Sequence, residues 1–122
     1  MLLKNLYKTV SFVYKDNHVN AEIVIDKDHE IFKGHFPDNP VMPGVCMIQI
    51  IKELTEKALD LTLFMEKSRN IKFMALINPN INSNLKLELT ITEEDGKFKV
   101  KNITKMDEVL ALKFSGTFRV DS

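Results

Sequence analysis

Residues Gly44 to Phe64 read GVCMIQIIKELTEKALDLTLF, and their spacing decides the architecture. Beyond the opening glycine the stretch has no Pro or Gly, and Val45, Ile48, Ile51, Leu54, Ala58 and Leu61 recur at threes and fours, as on one face of a helix. Pro43, immediately before it, suits a first helical turn. The first two turns are apolar on every side except at Gln49, whereas Lys52, Glu53, Glu56, Lys57 and Asp60 come later. Such a helix has its N-terminal half enclosed by protein and its C-terminal half in solvent.

Outward from this helix the chain reads as strands. Upstream, Leu6 to Tyr14 and the β-branched run VNAEIVI (19–25) flank a polar turn at Lys15 to Asn17, the pattern of a hairpin. Between hairpin and helix lies KDHEIFKGHFPDNPVMPG (27–44), with three of the four prolines and two of the four glycines; it is a stiff loop that denies helix and sheet ladders. Downstream, Ile71 to Ile77 reads as a strand. Leu85, Leu87, Leu89 and Ile91 then alternate with Lys86, Glu88, Thr90 and Thr92 up to a turn at Glu94-Asp95-Gly96-Lys97. Phe98 and Val100 continue the alternation, and after a turn at Met106 to Glu108 it resumes through Leu110, Leu112, Phe114, Gly116, Phe118 and Val120. The expected fold is α+β: one long central helix wrapped by an antiparallel sheet, which hides one face of the sheet and supplies the core.

Bulk properties bound the function. With 122 residues the chain buries about two-thirds of its unfolded surface, enough for one core, so residues 1–122 are expected to form a single domain whose larger sites need a second subunit. Seventeen basic and seventeen acidic side chains leave no net field for a phosphate backbone, which argues against nucleic acid as a partner. The single cysteine, Cys46, excludes an intramolecular disulfide, and in the helix it reads as core packing. The first residues, MLLKNLYKTVSF, lack the apolar core and cleavage site of a signal peptide, and no apolar run approaches the roughly 20 residues of a membrane span; a cytoplasmic location without membrane contact is expected. His18, His29 and His35, with Asp26, Asp28 and Glu30 nearby, show no H-x-H or HExxH spacing, so no metal site is expected.

The segment Gly34-His35-Phe36-Pro37-Asp38-Asn39-Pro40-Val41-Met42-Pro43-Gly44-Val45 runs from the stiff loop into the helix. Its pattern, H-F-P-x-x-P-x-M-P-G-V, resembles that of the 3-hydroxyacyl-(acyl carrier protein) dehydratases of the hotdog-fold superfamily. Ile71-Lys72-Phe73 and the Asn78-Pro79 turn resemble that family's strand after the helix, so the likeness runs from about Ile31 onward, while the first thirty residues match weakly. The resemblance implies a hotdog fold that dimerises by extending its sheet, with the histidine and the helix acid of one site on opposite protomers. It also implies reversible dehydration of a (3R)-hydroxyacyl thioester to the trans-2-enoyl form. No cofactor is implied beyond the phosphopantetheine arm of the acyl carrier protein, which is the expected partner. Homodimer, higher oligomer and heterodimer are all compatible with this pattern.

The chemistry needs a base for the C2 proton, a donor for the enolate oxygen and an acid for the leaving hydroxyl. His35, with a reference pKa near 6.5, suits the base, and its loop is held by Pro37 and Pro40. Gly44 brings a helix N-terminal N–H that a thioester carbonyl can approach, an oxyanion donor. By resemblance the acid belongs fourteen residues after the histidine, where the chain has Gln49. General acid help is worth ~10²- to 10⁴-fold, on the order of 3–5 kcal/mol, so the departure matters. Three routes stay open. Gln49 hydrogen-bonds the hydroxyl while protonated His35 returns the proton; Glu53, one turn on, supplies a carboxylate; or a different hotdog subunit contributes the acid.

Plainer readings stand beside these. Gln49 also reads as a buried amide satisfied by backbone, and the charged neighbours of Glu53 put it in solvent. Phe36, Met42, Val45 and Phe73 are ordinary core residues or, by resemblance, the lining of an acyl tunnel between protomers. Lys33, Lys52, Arg69 and Lys72 are solvated surface or a docking rim for an acidic carrier protein. An acyl thioesterase and a non-catalytic subunit completing a partner's site are the competing functions.

Overall fold

The computed structural model describes residues 5–32, 41–79 and 81–121, the side chains of Ser68 and Arg69 excepted. Strands β1 (Tyr7–Lys15) and β2 (His18–Ile25) are followed by a 3₁₀ turn (Glu30–Phe32), helix α1 (Gly44–Leu59), and strands β3 (Leu63–Phe73), β4 (Asn84–Glu94), β5 (Lys97–Met106) and β6 (Val109–Val120). They form one sheet in the order β1-β2-β4-β5-β6-β3, with every neighbouring pair antiparallel.

Local chemistry explains the hairpins. Asp16 and Asn17 (φ 53° and 67°) turn β1 into β2, and Asp95 and Gly96 (φ 55° and 77°) turn β4 into β5. Two consecutive left-handed residues match the twist of the flanking strands, and Asp, Asn and Gly are the residues that tolerate them. Along β4, Leu85, Leu87, Leu89 and Ile91 are buried while Lys86 and Glu88 are exposed. On β5 the inward set begins with Phe98 and Val100 and ends with two polar residues, Asn102 and Thr104. Both have partners: Asn102 Nδ2 donates to the Glu88 carbonyl at 3.2 Å, and Thr104 Oγ1 donates to Asn102 Oδ1 at 2.9 Å.

Bulges curl the sheet. The register of β3 against β6 slips between Met65 and Lys67 and again between Ser68 and Asn70, and that of β1 against β2 slips between Thr9 and Ser11. Each extra residue increases local twist and bends its strand, so the sheet folds over α1. The helix sends Cys46, Met47, Ile50, Ile51 and Leu54 into a core shared with Val19, Ile23, Leu85, Leu87, Val100, Phe114 and Phe118. Its N-cap residue, Pro43, makes no side-chain capping bond, a loss of about 1 kcal/mol. Burial of those apolar side chains, ~1.5–3 kcal/mol for each of the larger ones, outweighs it.

Two sequence expectations shift. The helical spacing predicts a helix running on through Leu61, but α1 ends at Leu59 because Asp60 takes the left-handed conformation (φ 55°, ψ 46°), its N–H bonding the Glu56 carbonyl. Asp reaches that conformation without glycine, and Leu63, fully buried, is already the first residue of β3. The strand read at Ile71 to Ile77 is accordingly displaced. It starts at Leu63 and stops at Phe73; beyond it the N–H groups of Met74 and Ala75 bond the Ala111 carbonyl as the chain leaves the sheet. The expected enclosure of the first helical turns is also not met by this chain alone. Its sheet covers one side of α1, and Val45 on the other side is 75% exposed.

A Cβ added at Gly116 would lie 2.6 Å from Phe114 Cζ and 2.9 Å from the Lys67 carbonyl oxygen of the adjacent strand. The ring can turn, whereas the backbone cannot. Gly116→Ala is therefore expected to lower the unfolding free energy by roughly 1–3 kcal/mol in urea titrations, with an unchanged β-sheet circular dichroism spectrum in the folded baseline.

Candidate active site

The N-terminus of α1 carries Gly44 and, just over one turn further, Gln49. Pro43 at the N-cap is extended (φ −65°, ψ 145°), and its carbonyl receives the N–H groups of Cys46 at 3.1 Å and Met47 at 3.2 Å. The N–H groups of Gly44 and Val45 come before those bonds and have no acceptor among the described residues. The Phe73 ring lies over Gly44: a Cβ there would meet Cε2 at 3.2 Å and Cζ at 3.6 Å, with Ile71 Cδ1 at 4.0 Å. The end of β3 thus closes on the helix start, where a side chain would require the Phe73 ring to shift by a few tenths of an ångström.

Gln49 has a side-chain partner rather than a backbone one. Its Nε2 donates to Glu53 Oε2 at 2.9 Å, and Tyr7 Oη, on β1, donates to Glu53 Oε1 at 2.6 Å. Both carboxylate oxygens of Glu53 are engaged, and all three residues are half-buried. Two sequence readings are corrected here. The Gln49 amide is satisfied by a carboxylate, not by backbone, and Glu53 is not a solvated surface acid, because the i, i+4 geometry of the helix places it against Gln49 while β1 covers it. Loss of water around the Tyr7 phenol, then its bond to Glu53 and the negative charges of Glu53 and Glu56, hold its pKa far above the ordinary 10.0.

Tyr7 is the residue that sequence reasoning missed. It lies 46 positions from Glu53 in a part of the chain without motif, and no spacing rule links a strand phenol to a helix carboxylate.

The other sequence candidates are spread out. His35, Phe36 and Lys33 lie outside the described residues. Met42 is a core side chain, its N–H bonded to the Ile77 carbonyl at 2.8 Å. Val45 points away from the core, and Phe73 is partly exposed. Cys46 is buried in the core, where loss of water pushes its thiol pKa up. Lys52 is half-buried on α1, and Lys72 is exposed on β3. His18 Nδ1 sits 3.3 Å from Thr90 Oγ1, and His29 Nδ1 accepts the Ile31 N–H at 3.1 Å. Among the described residues no group of three His, Cys, Asp or Glu is placed to hold a metal, and no helix is long and apolar enough to cross a membrane.

An antiparallel sheet curled around one helix, with a polar pair facing away from the core near the helix start, is the hotdog fold. The family model of the ApeI-like dehydratases matches residues 11–114. A 3-hydroxyacyl-(acyl-carrier-protein) dehydratase, FabZ of Lactobacillus helveticus, is 32% identical over 98% of this chain and 88% of its own length. The chain belongs to this dehydratase family. Among solved structures, the dehydratase heterocomplex ApeI:P of Xenorhabdus doucetiae superposes with a TM-score of 0.79 at 18% identity, covering 92% of this chain and 96% of that one. A hypothetical thioesterase with coenzyme A from Streptococcus pneumoniae shares the fold at a TM-score of 0.67 and 13% identity, over 95% and 86% of the two chains.

The Tyr7 phenol yields an alkaline signature. Unfolded, it ionises near its ordinary 10.0; folded, it keeps its proton to higher pH. The folded state then binds more protons than the unfolded one above pH 10, so this contribution to stability is complete below that pH and is lost as pH rises further. The urea midpoint of the wild type is expected to fall more steeply above pH 10 than that of Tyr7→Phe; parallel slopes would show that the phenol is not held in this way.

Proposed function

We propose that the chain dehydrates (3R)-hydroxyacyl thioesters, carried on the phosphopantetheine of acyl carrier protein, to the trans-2-enoyl form. The observation that carries the reading is the Gln49 amide, anchored to Glu53 one turn beyond a helix start whose first N–H groups have no acceptor among the described residues. His35 takes the proton from C2, and the electron pair of that C–H bond becomes the C2–C3 double bond as the C3–O bond breaks. The Gly44 N–H receives the charge that builds on the thioester oxygen, and the absence of a side chain at Gly44 keeps that approach open. Protonated His35 returns the same proton to the departing oxygen, which leaves as water. Gln49, through its remaining N–H and its carbonyl oxygen, binds the hydroxyl during this transfer. Proton and electrons balance without a second acid and without metal or redox cofactor.

The site is completed by a second hotdog subunit. Val45, Ile71 and Phe73 are exposed apolar side chains at the helix start, with Met74 and Leu76 exposed just beyond β3, and a partner chain covering Val45 would enclose the first turns of α1. Phe36, Val45 and Phe73 then border the acyl chain, while Met42 stays in the core. Both homodimer and heterodimer satisfy this geometry. The heterodimer is favoured by the likeness to a dehydratase heterocomplex, with Gln49 of this chain binding the hydroxyl in either assembly. A thioesterase reading is weaker, because the helix carboxylate that would activate water already accepts from Tyr7 and Gln49. A soluble carrier protein as partner places the reaction in the cytoplasm.

The test is turnover of a panel of 3-hydroxyacyl carrier proteins, followed by mass spectrometry for loss of water, with the purified chain alone and mixed with a related dehydratase subunit. His35→Ala is expected to lower the rate by at least ~10²-fold. Full activity in that variant, or release of free thiol in place of water, would overturn the assignment. Activity only in the mixture would establish the heterodimer.

A further inference from the structure

A carboxamide has a donor end and an acceptor end of nearly equal shape, so an unrestrained glutamine presents either one to a ligand. Gln49 is restrained. An ionised carboxylate only accepts, so the 2.9 Å contact with Glu53 Oε2 requires the Gln49 amino group to face Glu53. The carbonyl oxygen and the second N–H are then turned away from Glu53. That choice holds only while Glu53 keeps its own orientation, and a glutamate on a helix surface has several rotamers of similar energy. What removes this freedom comes from another element. Tyr7 is seated in the ladder opposite Ile25 and packs against the core, and its hydroxyl fastens Glu53 Oε1 at 2.6 Å, a length typical of strong charge-assisted bonds. The phenol stays protonated across the neutral range, so this donor is present throughout it.

We infer that Tyr7 is a positioning residue: acting through Glu53, it locks the Gln49 carboxamide in the one orientation that offers its carbonyl oxygen and second N–H to the substrate hydroxyl. The catalytic half of this inference rests on the dehydratase reading, whereas the coupling of Tyr7 to Gln49 rests on the two distances alone. Tyr7 touches neither substrate nor the reacting atoms. Its influence is transmitted along a chain of two hydrogen bonds that begins on strand β1 and ends on the polar side of α1.

Gln49 is the only glutamine in the chain. Protein labelled with nitrogen-15 at the glutamine side-chain amide therefore gives one NH₂ pair in a proton–nitrogen correlation spectrum, which reports this residue with no assignment step. Tyr7→Phe removes the hydroxyl and keeps the ring, and is expected to shift that pair in the direction taken by Glu53→Ala, which leaves Gln49 the only glutamine. In the turnover assay, alone or with the partner subunit, the same variant is expected to lose about tenfold in kcat, the worth of one hydrogen bond to a charged group, with KM changed less than about twofold. In a Gln49→Ala background, Tyr7→Phe is expected to change kcat by less than about twofold, because a residue acting through Gln49 has nothing left to position; a merely structural tyrosine would cost the same in both backgrounds. An amide pair that ignores Tyr7→Phe overturns the coupling, and a shifted pair with unchanged kcat overturns its role in catalysis. A wild type with the expected spectrum but no turnover in any mixture overturns the dehydratase reading and, with it, the catalytic half.

Discussion

Everything in this molecule depends on how α1 divides its surface. Six strands with an apolar inner face need something to bury that face against, and one sixteen-residue helix is the only long apolar element available among the described residues. Cys46, Met47, Ile50, Ile51 and Leu54 meet that need along one side. The sheet must then bend, since a flat one would touch the helix along a line only. The slips in β1 and β3 provide the bend at the two outer strands, where a bulge disturbs a single ladder rather than two.

The other side of the helix is thereby released from packing and can hold polar chemistry. A half-buried carboxylate is costly unless its oxygens are satisfied, and Glu53 is satisfied by one donor from its own helix and one from the first strand. The bond from Tyr7 also joins β1, an edge strand of the sheet, to the central helix. Structural support and the polar site are therefore not separable at this point. An apolar residue at Tyr7 would leave a carboxylate short of a partner as well as an amide short of orientation.

Much of the architecture was legible in the sequence, and for identifiable reasons. The alternation Leu85 to Ile91 and the Asp95-Gly96 turn are local patterns that need no tertiary information, and the β4–β5 hairpin falls where they put it. The helix start at Gly44 follows from Pro43 and the apolar spacing after it. The helix end was not legible, because Asp60 breaks α1 by its conformation and not by being glycine or proline, and Leu61 keeps the helical spacing by coincidence. At the site, helix geometry alone suggested that Gln49 and Glu53 share a face, and they are hydrogen-bonded. That Glu53 is half-buried and bonded depends on Tyr7 of β1 reaching it, a long-range contact that charged neighbours in sequence cannot reveal. For the same reason Tyr7 carried no signal.

The way α1 meets β3 has a mechanical consequence. Glu56 alone gathers three bonds at that corner: its carbonyl takes the N–H groups of Asp60 and Leu61, and its carboxylate takes that of Leu63 at 2.8 Å. The far end of the helix is thereby clamped to the first residue of the strand that follows, while the near end enters from Pro43 with no side-chain cap. Near its middle the helix is joined to β1 by the Tyr7 to Glu53 bond, and its first turn is held by the core packing of Cys46 and Met47. Rotation of α1 about its own axis is accordingly opposed at both ends, by the Glu56 bonds at one and by the buried Cys46 and Met47 side chains at the other.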